Sequence, residues 1–341
     1  MQSSIEKGGE AVYKGDTTMK RWMTLLPLVL CGCAFVNVNL DRGISPYEEQ
    51  TVLTLGKGSA RDKVLILEIE GVLLTQQDGG LLGKESSLVS DTREKLKKAG
   101  QDERVKAVVL RINTPGGSVS GSDLLYEEIR RFKEKKKCPV VASFLDTATS
   151  GGYYVAMSSD EIVCQPTSVT GSIGVMMQLF GATGLMEKLG LEDRALTAGA
   201  LKNMGSPFKG MSEEERKTLQ DLVNRFHERF IHIVDQGRPE LDRQQVHRLA
   251  DGRVFDGEEA LALGLVDRLG YLPDAIERAS ELAEITACKA IVYRRGGGHA
   301  GSPYSPKGQA TTILINWVDL ADRLCHTRFW YLWLPSLGLP F

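Results

Sequence analysis

The chain has 341 residues, with 42 basic and 44 acidic side chains and a formal charge of −2. It therefore lacks the electrostatic footprint of a nucleic-acid binder, yet it is long enough to bury one large core or two ordinary ones. The six cysteines (Cys31, Cys33, Cys138, Cys164, Cys288, Cys325) follow neither metal-site spacing nor a dense disulfide framework, and the five histidines include no His-Glu-x-x-His, which argues against a zinc enzyme.

Residues 1–18 are polar and suggest no folded element, so Met19 is a candidate initiator. Residues 19–33 read as a targeting segment: Lys20 and Arg21, a short apolar run, then small residues. The run is shorter than the roughly 20 residues that a spanning helix needs. Leu30-Cys-Gly-Cys33 resembles the lipobox of bacterial lipoproteins, which makes Cys33 a candidate for lipidation. A short membrane anchor and a plain secretory signal are the alternatives. Each of the three directs the body of the protein out of the cytoplasm. Residues 34–62 look like a tether, with Gly, Pro and charges but no periodicity.

The folded body, 63–295, opens with a strand signal from Val64 to Leu74. A short amphipathic helix follows at Asp91–Lys98, then a strand at Val105–Ile112 that ends in Asn-Thr-Pro-Gly-Gly117, and a helix at Ser120–Lys136. The next strand starts after Pro139 and leads to Thr149-Ser-Gly-Gly-Tyr-Tyr154, where a helix can begin. Ser150 would then stand at a strand-to-helix turn, its hydroxyl lifted out of the sheet, with the glycine amides free to face a developing negative charge. The plainer alternative is an N-cap serine followed by two packing glycines. A fourth strand, Glu161–Cys164, precedes the small hydroxyl-rich loop Thr167–Gly174. The strand-helix rhythm predicts an α/β fold with mostly parallel strands, in which sites gather where strands end in loops.

Beyond this, a strand is expected from Glu192 to Ala198, then a loop at Gly199–Phe208. A long helix to about Asp235 is opened by a Ser212/Glu215 capping box. His227 and His232 fall inside it without a metal-binding pattern and read as surface or packing residues. Asp256 should cap a short helix, Pro273–Ala283 should form another, and Ala290–Tyr293 the last strand. Residues 296–341 are a loop and an apolar aromatic tail, suited to a membrane surface or to packing on a neighbouring subunit.

Five segments in order, Arg-Ile-Asn-Thr-Pro-Gly-Gly117, Thr-Ser-Gly-Gly-Tyr-Tyr154, Thr-Gly-Ser-Ile-Gly-Val175, Gly199–Phe208 and Gly252–Asp267, together resemble the bacterial signal peptide peptidase A family. These are serine peptidases on the fold shared with the proteolytic subunit of Clp protease and the crotonases, built from repeated strand-strand-helix units. The resemblance implies Ser150 as nucleophile and Lys202 as general base, with Ser172 orienting the lysine. It also implies an oxyanion hole from Gly151 together with Gly116 or Gly117. A lysine can act this way only if its surroundings favour the neutral amine, and Ala200, Leu201, Met204 and Phe208 offer apolar neighbours. Lys209 is the nearest rival.

The resemblance further implies a membrane-associated endopeptidase acting on hydrophobic peptides, above all remnant signal peptides. No metal or cofactor is needed. The expected assembly is a homo-oligomeric ring in which the lysine can come from a neighbouring copy. Thr149 stands where the family often has alanine, the N-terminal segment looks like a lipobox rather than the family's spanning helix, and the aromatic tail is outside the motif set. A crotonase-like acyl-CoA enzyme and a non-catalytic membrane scaffold are the competing readings.

Overall fold

The computed structural model describes residues 45–57, 60–75, 87–296, 300–305 and 329–333. The polar start, the targeting segment with Cys33 and most of the tail lie outside the described residues. All described residues except Ser45 fall in one unit, Pro46–Phe341.

The chain opens with β1 (Glu48–Leu55) and β2 (Asp62–Glu70), then α1 (Leu88–Gln101), β3 (Val105–Thr114), β4 (Gly116–Ser118) and α2 (Val119–Lys136). It continues through β5 (Val140–Thr149), α3 (Gly151–Ala156), β6 (Glu161–Cys164), β7 (Val169–Gly171), β8 (Met176–Met177) and α4 (Thr183–Leu189). The remainder is α5 (Glu213–Gly237), α6 (Arg243–Leu249), β9 (Val254–Phe255), α7 (Gly257–Ala262), β10 (Arg268–Leu269), α8 (Leu272–Leu282), β11 (Cys288–Arg294) and β12 (Phe329–Leu332).

The main sheet runs β1-β11-β2-β3-β5-β6-β10, with β7 joined to β5 and β9 joined to β7. Its pairs are parallel except β1 with β11 and β7 with β9, so the mixed α/β architecture is mostly parallel, as the sequence rhythm predicts. The central strands are nearly continuous apolar runs because both faces of the sheet are covered. Leu65, Leu67 and Ile69 face one core with residues of α1, α2 and α5, while Val64 and Ile66 face a second core with Leu272, Ala275, Ile276 and Ala279 of α8. A buried charge cluster ties the sheet to α1: the Glu68 carboxylate accepts from Lys95 at 3.1 Å, Arg111 at 2.9 Å and Arg294.

The expected capping box of Ser212 and Glu215 opens α5, Asp256 caps α7, and Pro273 lies in the first turn of α8. Two segments differ from the sequence reading. Residues 48–55, read as tether, form the edge strand β1, whose mixed polar and apolar residues suit a strand with one open edge and give no clean alternation. Residues 192–198 carry no strand: they are exposed throughout and have no ladder partner among the described residues, which an apolar pattern alone does not reveal.

A second, antiparallel sheet has the order β4-β12-β8. Its centre is the tail segment β12, paired on one side with Gly116–Ser118 and on the other with Met176–Met177. No described helix is long and apolar enough to cross a membrane.

Candidate active site

Ser150 joins β5 to α3, and its backbone is bent sharply there, with φ 53° and ψ −113°. A non-glycine residue in such a region costs about 1–3 kcal/mol and persists only when its surroundings fix it. Here the Ser150 N–H donates to the Gly171 carbonyl at 2.7 Å, and the Ser150 carbonyl accepts from the Tyr154 N–H at 2.9 Å. β5 is locked between β3 and β6, and Tyr153 and Tyr154 anchor α3 in the core. Although Ser150 stands at the N-cap position of α3, its side chain makes no capping bond. That removes the plainer reading of the residue as a helix cap. α3 is only six residues long, so individual amides rather than a macrodipole are what it can offer.

The turn after β3 packs directly on this elbow. Gly116 has φ 101°, and a Cβ there would lie 2.8 Å from the Gly151 nitrogen. A Cβ on Gly151 would lie 2.3 Å from Ser122 Oγ and 3.1 Å from the Gly117 nitrogen. Glycine at these two places lets the Pro115–Gly117 backbone and the Gly151 amide approach each other closely.

Ser172 is held in a second strained turn, φ 52°, by its N–H donating to the Arg253 carbonyl at 2.7 Å. Ser150 and Ser172 line one cavity of about 660 Å³, shared with Val175, Met176, His227, Asp251 and the tail residues Trp330, Leu332 and Trp333. The fold thus brings Ser150, Gly151, Gly116, Gly117 and Ser172 together.

Lys202 is not among the residues lining that cavity. It lies in an exposed turn, its N–H donating to the Gly199 carbonyl at 3.1 Å. The segment around it is conspicuously apolar on its outside: Phe180, Leu185, Leu189, Leu191, Leu196, Phe208 and Met211 are all exposed, Leu196 fully. The rival, Lys209, is committed elsewhere, donating to the Glu215 carboxylate within the capping box of α5. This contact, with the Ser212 N–H, holds the Glu215 carboxyl below its ordinary range.

Two titratable cavity residues escaped the sequence reading. His227 Nε2 is 2.8 Å from the Ala250 carbonyl, which can only accept, so the ring donates from Nε2 and a neutral ring keeps Nδ1 as acceptor. Asp251 is paired with Arg253, which pulls its carboxyl down to about 2. Helical spacing gave no signal for His227, because the loop it meets arrives from 23 residues further on.

The mixed α/β fold is that of a serine peptidase, as its relatives show. A model of peptidase family S49 matches residues 132–286. A protein of Enterococcus faecium assigned as a signal peptide peptidase SppA is 37% identical over 246 residues, covering 72% of this chain and 71% of that protein. A protein of Synechocystis sp. assigned as a protease is 35% identical over 287 residues, covering 80% of this chain and 97% of its own length. The chloroplastic serine protease SPPA of Arabidopsis thaliana is 31% identical over 240 residues, which span 70% of this chain and 35% of that longer protein.

The chain belongs to peptidase family S49, the signal peptide peptidase A family, and is a serine endopeptidase.

Proposed function

We propose that Ser150 is the nucleophile of a Ser-Lys dyad that cleaves hydrophobic peptides, remnant signal peptides among them, and that Lys202 is its base. The observation that carries this is the strained, uncapped Ser150 packed against the Gly116–Gly117 turn. Ser150 Oγ attacks the scissile carbonyl, and the neutral Lys202 amine takes its proton. The Gly151 amide and an amide of the glycine turn stabilise the oxyanion, and Lys202 returns the proton to the leaving amine. Water, activated by the same amine, then releases the acyl-enzyme. Ser172 orients the lysine.

Lys202 is exposed on an apolar segment in the single chain, so the lysine reaches the cavity of a neighbouring copy in a homo-oligomeric ring, whose interface buries Leu196 and Phe208. His227 gives a second reading, since it already lines the Ser150 cavity and in a neutral ring its Nδ1 is an acceptor. Membership of a peptidase family speaks against the acyl-CoA enzyme and the inert scaffold. Lipidated Cys33 would hold the chain at the cell membrane with the peptidase body outside the cytoplasm, and Cys33→Ser should then release it from the membrane fraction.

The test is hydrolysis of a synthetic hydrophobic signal peptide by the full chain and by its Ser150→Ala, Lys202→Ala and His227→Ala variants. Loss in the first two with a working His227→Ala chain supports the dyad. An active Lys202→Ala chain beside a dead His227→Ala chain replaces the lysine by the histidine.

A further inference from the structure

Thr114, the last residue of β3, is fully buried, and its hydroxyl bonds in both directions. Oγ1 accepts from the Gly116 N–H at 3.0 Å and donates to the Gly71 carbonyl. The Gly116 carbonyl, at 3.3 Å, is the longer of its two acceptor contacts. A hydroxyl has one hydrogen to give, so the Gly116 and Gly71 bonds together fix its direction. Gly71 is in turn tied to β3, its N–H donating to the Asn113 carbonyl at 3.2 Å.

Two residues further on, the same stretch after β2 meets the glycine turn through its backbone. The Leu73 N–H donates to the Gly116 carbonyl at 2.9 Å, and the Leu73 carbonyl accepts from the Ser118 N–H at 2.8 Å. Leu73 thus stands opposite Gly117, where a Cβ would lie 2.1 Å from the Leu73 oxygen. These bonds also set an orientation. In a trans peptide the C=O and the following N–H point opposite ways, so a Gly116 carbonyl aimed at Leu73 turns the Gly117 N–H away from it. The Gly117 nitrogen is 3.1 Å from where a Cβ on Gly151 would stand, on the side of the Ser150 elbow. The Gly116 N–H, by contrast, is committed to Thr114.

The methyl of Thr114 reaches the elbow itself. A Cβ on Gly152 would lie 2.7 Å from the Thr114 methyl carbon and 3.3 Å from its carbonyl oxygen, so the second residue of α3 packs on this side chain. Thr114 is also paired with Ala148 of β5, two residues before Ser150. One buried residue therefore touches both the glycine turn and the helix that starts at Gly151.

We propose that Thr114 is a positioning residue for peptide hydrolysis: its hydroxyl holds the Gly116 amide and, through Gly71, the 71–73 stretch, so that the Gly117 N–H is preset to stabilise the oxyanion formed at Ser150. The inference rests on the reading of Ser150 as nucleophile and of the glycine turn as its oxyanion donor. Thr114 touches neither the substrate nor the reacting atoms. It acts by sparing the turn any rearrangement as charge develops, which is what makes fixed donors effective.

The experiment compares full chains carrying Thr114→Ser, Thr114→Val or Ser150→Ala on a hydrophobic peptide. Inhibition by a peptide aldehyde, whose serine adduct presents an oxyanion, and amide hydrogen exchange over residues 71–73 and 116–118 are read on the same chains. Valine keeps the branched shape without the hydroxyl, and serine keeps the hydroxyl without the methyl. Thr114→Val should lower kcat by about 10- to 100-fold with KM within about threefold of wild type. The aldehyde should bind it more weakly by a similar factor, and exchange should quicken in both stretches. Thr114→Ser should keep slow exchange and a kcat within about threefold of wild type. If the valine chain does not fold, Thr114→Cys, whose thiol is a weak donor and acceptor, should show the same split by a smaller factor.

A Thr114→Ser chain that loses as much kcat as Thr114→Val or Thr114→Cys overturns the inference, because packing by the methyl would then be what matters. So does a Thr114→Val chain that is less stable, or higher in KM, at an unchanged kcat. An active Ser150→Ala chain removes the nucleophile reading and the inference with it. A dead Ser150→Ala chain beside a fully active Thr114→Val chain removes the inference alone.

Discussion

The elbow at Ser150 and the segment carrying Lys202 belong to one proposed reaction but are built in opposite ways. Ser150 is 1% exposed, bent into a costly backbone conformation, and held by strand pairing, two buried tyrosines and a bond to the Gly171 carbonyl. Residues 180–211 are held in part by their own bonds, such as that from the Ala182 N–H to the Pro207 carbonyl, and Lys209 ties them to Glu215 of α5. Leu196 is 100% exposed there and Phe208 53%. A nucleophile needs a position fixed before substrate arrives, and a strained turn is affordable only inside a packed core. An exposed apolar segment is stable in water only at a cost, which a contact with another copy would relieve.

The largest effect that separates the two regions is on rate. Ser150→Ala should lower peptide hydrolysis by about 10³-fold or more while leaving the melting temperature nearly unchanged, because the hydroxyl makes no capping bond. Wild-type rates in that variant would show that the elbow is architecture and not chemistry.

Next comes stability. Phe144→Ala, deep beneath the elbow, should cost about 3–5 kcal/mol in denaturant unfolding, since the buried ring leaves a cavity against Tyr153. Glu68→Gln should cost a comparable amount, roughly 3–5 kcal/mol, because Lys95, Arg111 and Arg294 would lose the buried carboxylate that lies between them. Burial raises the Glu68 pKa, but the Arg294 contact and the nearby Lys95 and Arg111 charges outweigh it, and the carboxyl ends below its ordinary range. A carboxyl depressed in the fold contributes stability above the ordinary carboxylate range, and that contribution is lost as pH falls through the folded value. Wild-type unfolding followed from neutral to acid pH should therefore weaken on the acid side, and Glu68→Gln should flatten that dependence.

The smallest effect sharpens the contrast most. Leu196→Asp and Phe208→Asp should change the stability of the single chain by no more than about 0.5 kcal/mol, as exposed positions do. Sedimentation should nevertheless show them shifting the protein toward smaller species. Unaltered sedimentation would leave the apolar segment without the partner proposed for it.

How much of this was readable in advance follows from the range of each interaction. The Ser150 turn was legible because its determinants are adjacent in the chain: an apolar strand, a serine and two glycines. The helix caps at Ser212 and Asp256 were legible for the same reason. β1 was not, since its polar edge residues show no alternation and its partner β11 lies far along the chain, Glu48 opposite Arg294. The expected strand at 192–198 had a local pattern but no ladder partner among the described residues, and pattern alone does not supply one. His227 entered the Ser150 cavity through a tertiary contact with Ala250, and the tail took a place between β4 and β8 that its composition suggested only as an unspecified apolar surface. The lysine is the sharpest case: the resemblance pointed to Lys202, while in the single chain it is not among the residues that line the cavity.

The most direct measurement of the central claim mixes two inactive chains. Ser150→Ala and Lys202→Ala proteins are unfolded together in equal amounts, refolded, and assayed on a hydrophobic signal peptide. If Ser150 and Lys202 meet across copies, random assembly pairs an intact serine with an intact neighbouring lysine at about a quarter of the sites, and about a quarter of wild-type activity should return. A mixture as inactive as its components, under conditions where refolded wild type recovers its rate, would contradict a dyad shared between neighbours.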